Sequence, residues 1–298
     1  MKESCPKSFL MISLGSQLME DKQVVTKEDK VSNGMEQLIE TLDPQEAQLV
    51  QEMMDLGVFY GGSKSRTNPK MKPYILSNRS GFGVINLRKT YSALKKTGAL
   101  IEDAISKQGL VMFVGTSPSV KTAIKDSAIE LDIPHVVERW LGGTLTNFET
   151  ISKRIKYLKK LKADKASGEL DKYTKKEKLE LERELAKLER LFGGIENLDR
   201  LPTLVFIADL KNNEIAAKEA REIGATVVGV VNTDSDPTLV DRIIPANDRN
   251  KKAMDFIINR VKEMVLEAKA KMPIVKEEPK IQKEKISLVN KTKEKKIE

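Results

Sequence analysis

Cysteine is nearly absent: Cys5 is the single one among 298 residues. A disulfide within the chain is excluded, as is a cysteine-rich zinc site, and a reducing compartment is the natural setting. Histidine is equally scarce. His135 alone cannot supply a multi-histidine metal site or a two-histidine proton relay. The longest apolar run near the start, Phe9 to Leu14, is broken by Ser13. It is too short for a spanning helix and poor as a signal peptide. Residues 1–56 hold eleven acids against five lysines, whereas an organellar transit peptide is acid-poor. These absences predict a cytoplasmic chain with no metal and no cofactor.

What is present is charge. Apolar residues make up 40% of the chain, enough for a core, and charged residues 32%, with a formal net charge of +8 and a pI of about 9.2. Such a balance points to a polyanion or an acidic membrane surface, or else to a merely basic soluble protein. The charge is also segregated. Residues 57–90 carry Lys64, Arg66, Lys70, Lys72, Arg79, Arg88 and Lys89 and no acid. Within them Gly61-Gly62-Ser63-Lys64-Ser65-Arg66-Thr67-Asn68-Pro69-Lys70 reads as a loop whose small residues let a phosphate approach the backbone. A flexible solvated loop is the alternative, and the acid-free run favours nucleic acid. Residues 149–192 hold fourteen basic and nine acidic side chains, and 271–298 nine lysines and five glutamates.

Apolar periodicity predicts helices over residues 44–56, 89–107, 119–131, 213–223 and 251–271. Asp43-Pro44-Gln45-Glu46 reads as the start of the first. Strands are predicted over 82–87, 110–114 and 204–207, around 136–137, and over 226–231. Alternating strands and helices imply a parallel sheet in a three-layer α/β/α domain. Residues 149–192 break the alternation. Ile151, Ile155, Leu158 and Leu161 form one helical stripe and Leu181, Leu185, Leu188 and Phe192 another. Thr146-Asn147-Phe148-Glu149 and Thr174-Lys175-Lys176-Glu177 read as capping boxes. The pattern predicts an antiparallel helical hairpin, its lysines facing outward to RNA or simply to solvent. The expected organisation is thus a disordered acidic extension (1–42), an α/β domain in two parts (43–148 and 193–271), the inserted hairpin (149–192) and a disordered lysine-rich tail (272–298).

Catalysis finds little support. Gly115-Thr116-Ser117-Pro118-Ser119 lies where doubly wound folds bind phosphate, yet matches neither glycine-rich fingerprint. Asp209, Asp234 and Asp236 follow strand ends and could gather a divalent metal, but Asx-turn chemistry explains them more simply. His135 reads as structural, and no activated nucleophile is evident. A nucleotide-dependent enzyme and a free-standing RNA-binding assembly factor stay open as other readings.

Several runs in unbroken order then carry a resemblance. They are Asn68-Pro69-Lys70-Met71-Lys72-Pro73-Tyr74-Ile75, Val84-Ile85-Asn86-Leu87-Arg88-Lys89-Thr90, Phe113-Val114-Gly115-Thr116 and Arg139-Trp140-Leu141-Gly142-Gly143-Thr144-Leu145-Thr146-Asn147. Leu201-Pro202 through Asp209 follows, with Glu219, Asn232 to Pro237 and Ile244 to Asp248. Together they resemble the bacterial-type small-subunit ribosomal protein S2 family over about residues 45–270. That resemblance implies a flavodoxin-like sheet with a protruding coiled-coil hairpin and no enzymatic activity. It further implies binding to small-subunit, 16S-type rRNA, and help in docking the largest, OB-repeat protein of that subunit. The expected RNA-contacting residues are Lys64, Arg66, Lys70, Lys72, Arg79, Arg88, Lys89, Arg139, Asn147, Lys153 and Arg154. Trp140, Gly142 and Gly143 are expected to be architectural. The family usually has histidines where this chain has Phe59-Tyr60-Gly61-Gly62-Ser63, and basic residues where it has Ser117-Pro118-Ser119.

Overall fold

The computed structural model describes residues 44–271. The expected extension over 1–42, its neighbour Asp43 and the tail over 272–298 lie outside the described residues. The chain divides into two units, residues 1–47 and 48–298; of the first, residues 44–47 are described, and they open helix α1 (Pro44–Asp55).

The larger unit is built on five strands: β4 (Val111–Val114), β5 (His135–Val136), β6 (Leu204–Ile207), β7 (Thr226–Val231) and β8 (Arg242–Pro245). They pair in parallel in the order β5-β4-β6-β7-β8. Counted along the chain this is 2-1-3-4-5, a doubly wound order whose direction reverses between β4 and β6. Strands β4 and β6 are buried at every position, as in sheets covered on both faces. Alternate side chains serve the two faces. Met112, Val114, Val205, Ile207, Val227 and Val231 join one cluster with α4 (Phe148–Ala166), α5 (Lys175–Phe192) and α6 (Glu214–Glu222). On the opposite face Phe113 and Phe206 pair with ring centroids 5.3 Å apart. Helices α2 (Leu87–Ser106), α3 (Lys121–Leu131) and α7 (Lys251–Lys271) cover that side. They are cross-linked by Lys262–Glu130 at 2.5 Å and Lys271–Glu102 at 3.0 Å.

Three strands were not anticipated. Segment 57–85, expected to hold a loop and one strand, folds as a small antiparallel sheet of β1 (Tyr60–Ser63), β3 (Phe82–Ile85) and β2 (Ile75–Arg79), with β3 central. Turns of 3-10 helix at Lys64–Arg66 and Pro69–Tyr74 fill the span between β1 and β2. This sheet lies over the C-terminal ends of β7 and β8. Gly62 N donates to Thr233 Oγ1 at 2.7 Å, Asn68 N to Thr233 O at 2.8 Å, and Asn247 N to Val58 O at 3.1 Å. Gly61 is required there, since a Cβ would meet Thr233 Cγ2 at 2.6 Å and Gly83 O at 2.7 Å. The third unanticipated strand, β8, closes the edge of the parallel sheet.

Helices α4 and α5 follow one another with no strand between, as the two stripes predict. The side-chain contacts between them do not follow one antiparallel register. Tyr157 donates to Glu184 at 3.2 Å, while Lys162 pairs with Glu189 at 3.4 Å and Glu196 at 2.7 Å, so the partners advance together along both helices. An antiparallel register set at Tyr157 would place Lys162 opposite residue 179, about 15 Å along the helix from Glu189. The connection turns at Gly168 and buries Leu170. The capping box at Thr174 and Glu177 forms. The one expected at Thr146 does not: Asn147 is the N-cap and makes no side-chain cap bond, and Asn147 N donates to Gly143 O at 2.9 Å within the preceding turn.

Candidate functional site

The seven cations of residues 57–90 do not share one environment. Lys64 and Arg66 are exposed on the first 3-10 turn and Lys72 on the second, and none of the three has an acidic partner among the described residues. Their backbone is held firmly. Asn68 caps the second turn through Lys70 N at 3.0 Å, Thr67 Oγ1 donates to Ser63 O at 3.1 Å, and Met71 is fully buried beneath. Fixing the loop in advance lowers the ordering cost of binding. Lys64 and Lys72 line an open groove of about 330 Å³ beside β2, with Thr67, Ser77 and Asn78. The other four expected contacts are already engaged. Lys70 pairs with Asp236 at 3.0 Å. Lys89 donates to Pro73 O and lies 5.6 Å from the Tyr74 ring centroid. Arg79 and Arg88 are half-buried and each has an interaction within the chain.

The second group of expected residues surrounds Trp140. Its indole Nε1 donates to Glu219 Oε1 at 3.2 Å. Gly143 N reaches the same oxygen at 2.8 Å, and Leu145 N reaches Oε2 at 3.0 Å. Glu219 is 7% exposed, so a buried carboxylate on α6 gathers three donors of the 140–145 loop; sequence reading quoted this residue but gave it no role. Gly143 has φ +85°, the left-handed conformation that glycine adopts without penalty. Trp140 and Gly143 are tied to Glu219 by these bonds, while Gly142 is exposed with open space around its Cα. Arg139 and Asn147 project outward on either side of the loop. Arg139 has no acidic partner among the described residues. On α4, Lys153 pairs with Glu149 at 2.8 Å, and Arg154 is exposed without an acidic partner among the described residues.

The crevice at the β4/β6 switch point is filled by the chain itself. Asp209, 1% exposed at the end of β6, accepts from Thr116 N at 3.1 Å, Ser117 N at 2.8 Å and Asn213 Nδ2 at 2.6 Å. The backbone donors that would face a nucleotide phosphate thus point at a fixed carboxylate, which would repel one. Burial holds the Asp209 carboxyl above its usual pKa, against the pull of these donors. Asp234 is clamped by Lys211 and by Arg249 Nη2 at 2.6 Å. Asp236 caps Thr238 N at 3.0 Å, and Asp248, likewise raised by burial, accepts from Asn232 at 2.6 Å. A local cap holds Asp236, and hydrogen bonds and ion pairs within the chain engage Asp209, Asp234 and Asp248. Among the described residues no three His, Cys, Asp or Glu side chains are placed to hold a metal. His135 is half-buried, and burial lowers its pKa.

Comparison with known proteins bears on this surface directly. The family model described as Ribosomal protein S2 matches residues 53–268. The chain belongs to the ribosomal protein S2 family. A family relative named small ribosomal subunit protein uS2, from Roseiflexus castenholzii, is 39% identical over 217 residues, covering 73% of this chain and 82% of the relative. Another of the same name, from Desulfovibrio desulfuricans, is 41% identical over 221 residues, covering 74% and 86%. The S2 match includes every residue expected to contact RNA and leaves residues 1–52 and 269–298 outside it.

Proposed function

We propose that this chain is a non-enzymatic, structural constituent of the small ribosomal subunit that binds small-subunit rRNA. The carrying observation is the set of exposed cations Lys64, Arg66 and Lys72, without an acidic partner among the described residues, set on a rigid turn-and-strand platform in an acid-free stretch. Arg139 extends the surface at the 140–145 loop, and Arg154 extends it on α4. Membership of the S2 family supports the ribosomal setting, and the names of the relatives support the small subunit. In this reading the sheet is flavodoxin-like, residues 43–148 and 193–271 form one α/β domain, and residues 149–192 are inserted into it as a paired-helix unit. The protein works in the cytoplasm, bound to the ribosome; among the described residues no helix is long and apolar enough to cross a membrane. Its protein neighbours include the largest, OB-repeat protein of the subunit.

The mechanism is neutralisation of phosphates with release of counterions, which makes affinity fall steeply with salt. Replacing Lys64, Arg66 and Lys72 together by alanine should flatten that dependence by roughly two to three in the slope of log K against log salt. The melting temperature should not change, because the three side chains are exposed and have no acidic partner among the described residues. Anisotropy titrations of a small-subunit rRNA transcript at several salt concentrations measure the slope. An unchanged slope would remove this platform from the interface. Sucrose-gradient sedimentation tests the setting: stoichiometric presence in mature subunits is expected, whereas presence only in precursors would indicate an assembly factor.

A further inference from the structure

Helix α2 descends across the edge strand β8. Thr90 Oγ1 donates to Pro245 O at 2.6 Å, which fixes the top of the helix at the C-terminal end of the strand. From Thr90 to Lys96 the helix advances about 9 Å at 1.5 Å per residue. From Pro245 back to Arg242 the strand spans about 10 Å at 3.3 Å per residue. Lys96 and Arg242, distant in sequence, therefore come level. Lys89, Lys96 and Arg242 line one open groove of about 330 Å³, with Pro73 and Tyr74 on its wall. Lys89 and Lys96 lie seven residues apart, on the same face of the helix.

The charge in this groove is almost wholly uncompensated. Lys96 and Arg242 are exposed and have no acidic partner among the described residues. Lys89 is satisfied by a neutral carbonyl and an aromatic ring, so its charge remains. The one acid on the lining, Asp241, accepts from Val227 N at 2.8 Å and sits 3.9 Å from Arg221 Nε. Lys72 lines the groove beside β2 and the next two residues, Pro73 and Tyr74, line this one, so the two grooves are joined by one short segment of chain.

We propose that this α2–β8 groove is a second phosphate-binding surface, occupied by the backbone of RNA and built on Lys89, Lys96 and Arg242. The inference rests on the RNA-binding reading above and extends it to Lys96 and Arg242, which that reading does not contain. Three cations against one committed acid suit a polyanion, and the short segment over residues 72–74 that joins the two grooves suits a backbone that tracks from one groove to the next.

The test compares the unsubstituted full chain, a Lys96→Ala/Arg242→Ala variant and the Lys64→Ala/Arg66→Ala/Lys72→Ala variant, each titrated with the same rRNA transcript. Both residues of the double variant are exposed, so an unchanged melting temperature is the expected fold control. The double variant should bind about tenfold more weakly at 0.1 M salt, with a slope shallower by about 1.5. If it binds as the unsubstituted chain does while the triple variant loses affinity, the groove proposal falls and the platform stands. Unchanged RNA affinity with lost incorporation into subunits would assign the groove to an acidic protein partner and overturn the proposal. Absence of salt-dependent binding by the unsubstituted chain would overturn both readings.

Discussion

Glu219 illustrates how one side chain organises a surface it does not reach. Its two oxygens take the Trp140 indole and the Gly143 and Leu145 amides, so Arg139 is presented from a loop with a fixed base. Glu219→Ala would leave these donors unsatisfied in a buried site, at a cost of about 3 kcal/mol. Urea denaturation should register that loss, with a matching change in Trp140 fluorescence, and Glu219→Gln should lose less because one acceptor remains. Asp236 makes a second residue-level prediction. Hydrogen bonds from Thr238, then Lys70, hold its carboxyl down to about 2 from 3.8. A depressed acid stabilises the fold above its unfolded value and loses that contribution as pH falls through its folded value. The contribution should be complete above about pH 4 and disappear towards about pH 2. A carboxyl NMR titration giving an Asp236 midpoint near its ordinary value would refute the arrangement. The Glu219 and Lys70–Asp236 partnerships are not visible in the sequence, because the residues involved lie 74 to 166 positions apart, whereas the Asp236–Thr238 bonds are local and read as an Asx turn.

Elements were legible in proportion to how much of their pattern is local. Strands β4, β6 and β7 announce themselves as continuous apolar runs closed by turn residues, and α7 appears with the predicted bounds. Strand β1 was hidden because Gly61 and Gly62 are poor strand formers; they are there because Thr233 presses against them. Strand β8 is four residues ending in Pro245, which reads as irregular chain until the neighbouring β7 supplies its hydrogen bonds. The stripes of α4 and α5 were legible, but a stripe states which face is buried and not what buries it, so the side chains that pair between the two helices were not. Met71 makes the element-scale prediction. It is fully buried at the centre of the turn that carries Lys70 and Lys72. Met71→Ala should cost about 2–5 kcal/mol and speed hydrogen exchange in residues 60–79 before the parallel sheet opens. Uniform protection across both sheets would show that the platform is not separately anchored by this residue.

At the scale of the whole molecule, charge is sorted between structural and exposed roles. Lys70, Lys211 and Arg249 face the acids of the 232–238 turn, and that clamp fastens the small sheet over the strand ends where a doubly wound fold would otherwise offer a ligand crevice. Exposed cations with no acidic partner among the described residues, among them Lys64, Arg66, Lys72, Lys96, Arg139, Arg154 and Arg242, remain available to a polyanion. High salt should consequently weaken RNA binding steeply while moving the melting temperature little, since exposed ion pairs contribute little to stability. Parallel melting and binding curves over the same salt range check this, and a fall in stability that tracks the fall in affinity would count against it. The sequence by itself determined the α/β class, the buried strands, the acid-free basic stretch and the family, because each is written in composition, local period or an ordered motif series. Only the tertiary structure decided which basic residues are spent on internal acids and which stay free. It also decided that Asp209 fills the switch-point crevice, and how α4 and α5 run past each other. Those outcomes depend on distances between side chains remote in sequence, and no local pattern encodes them.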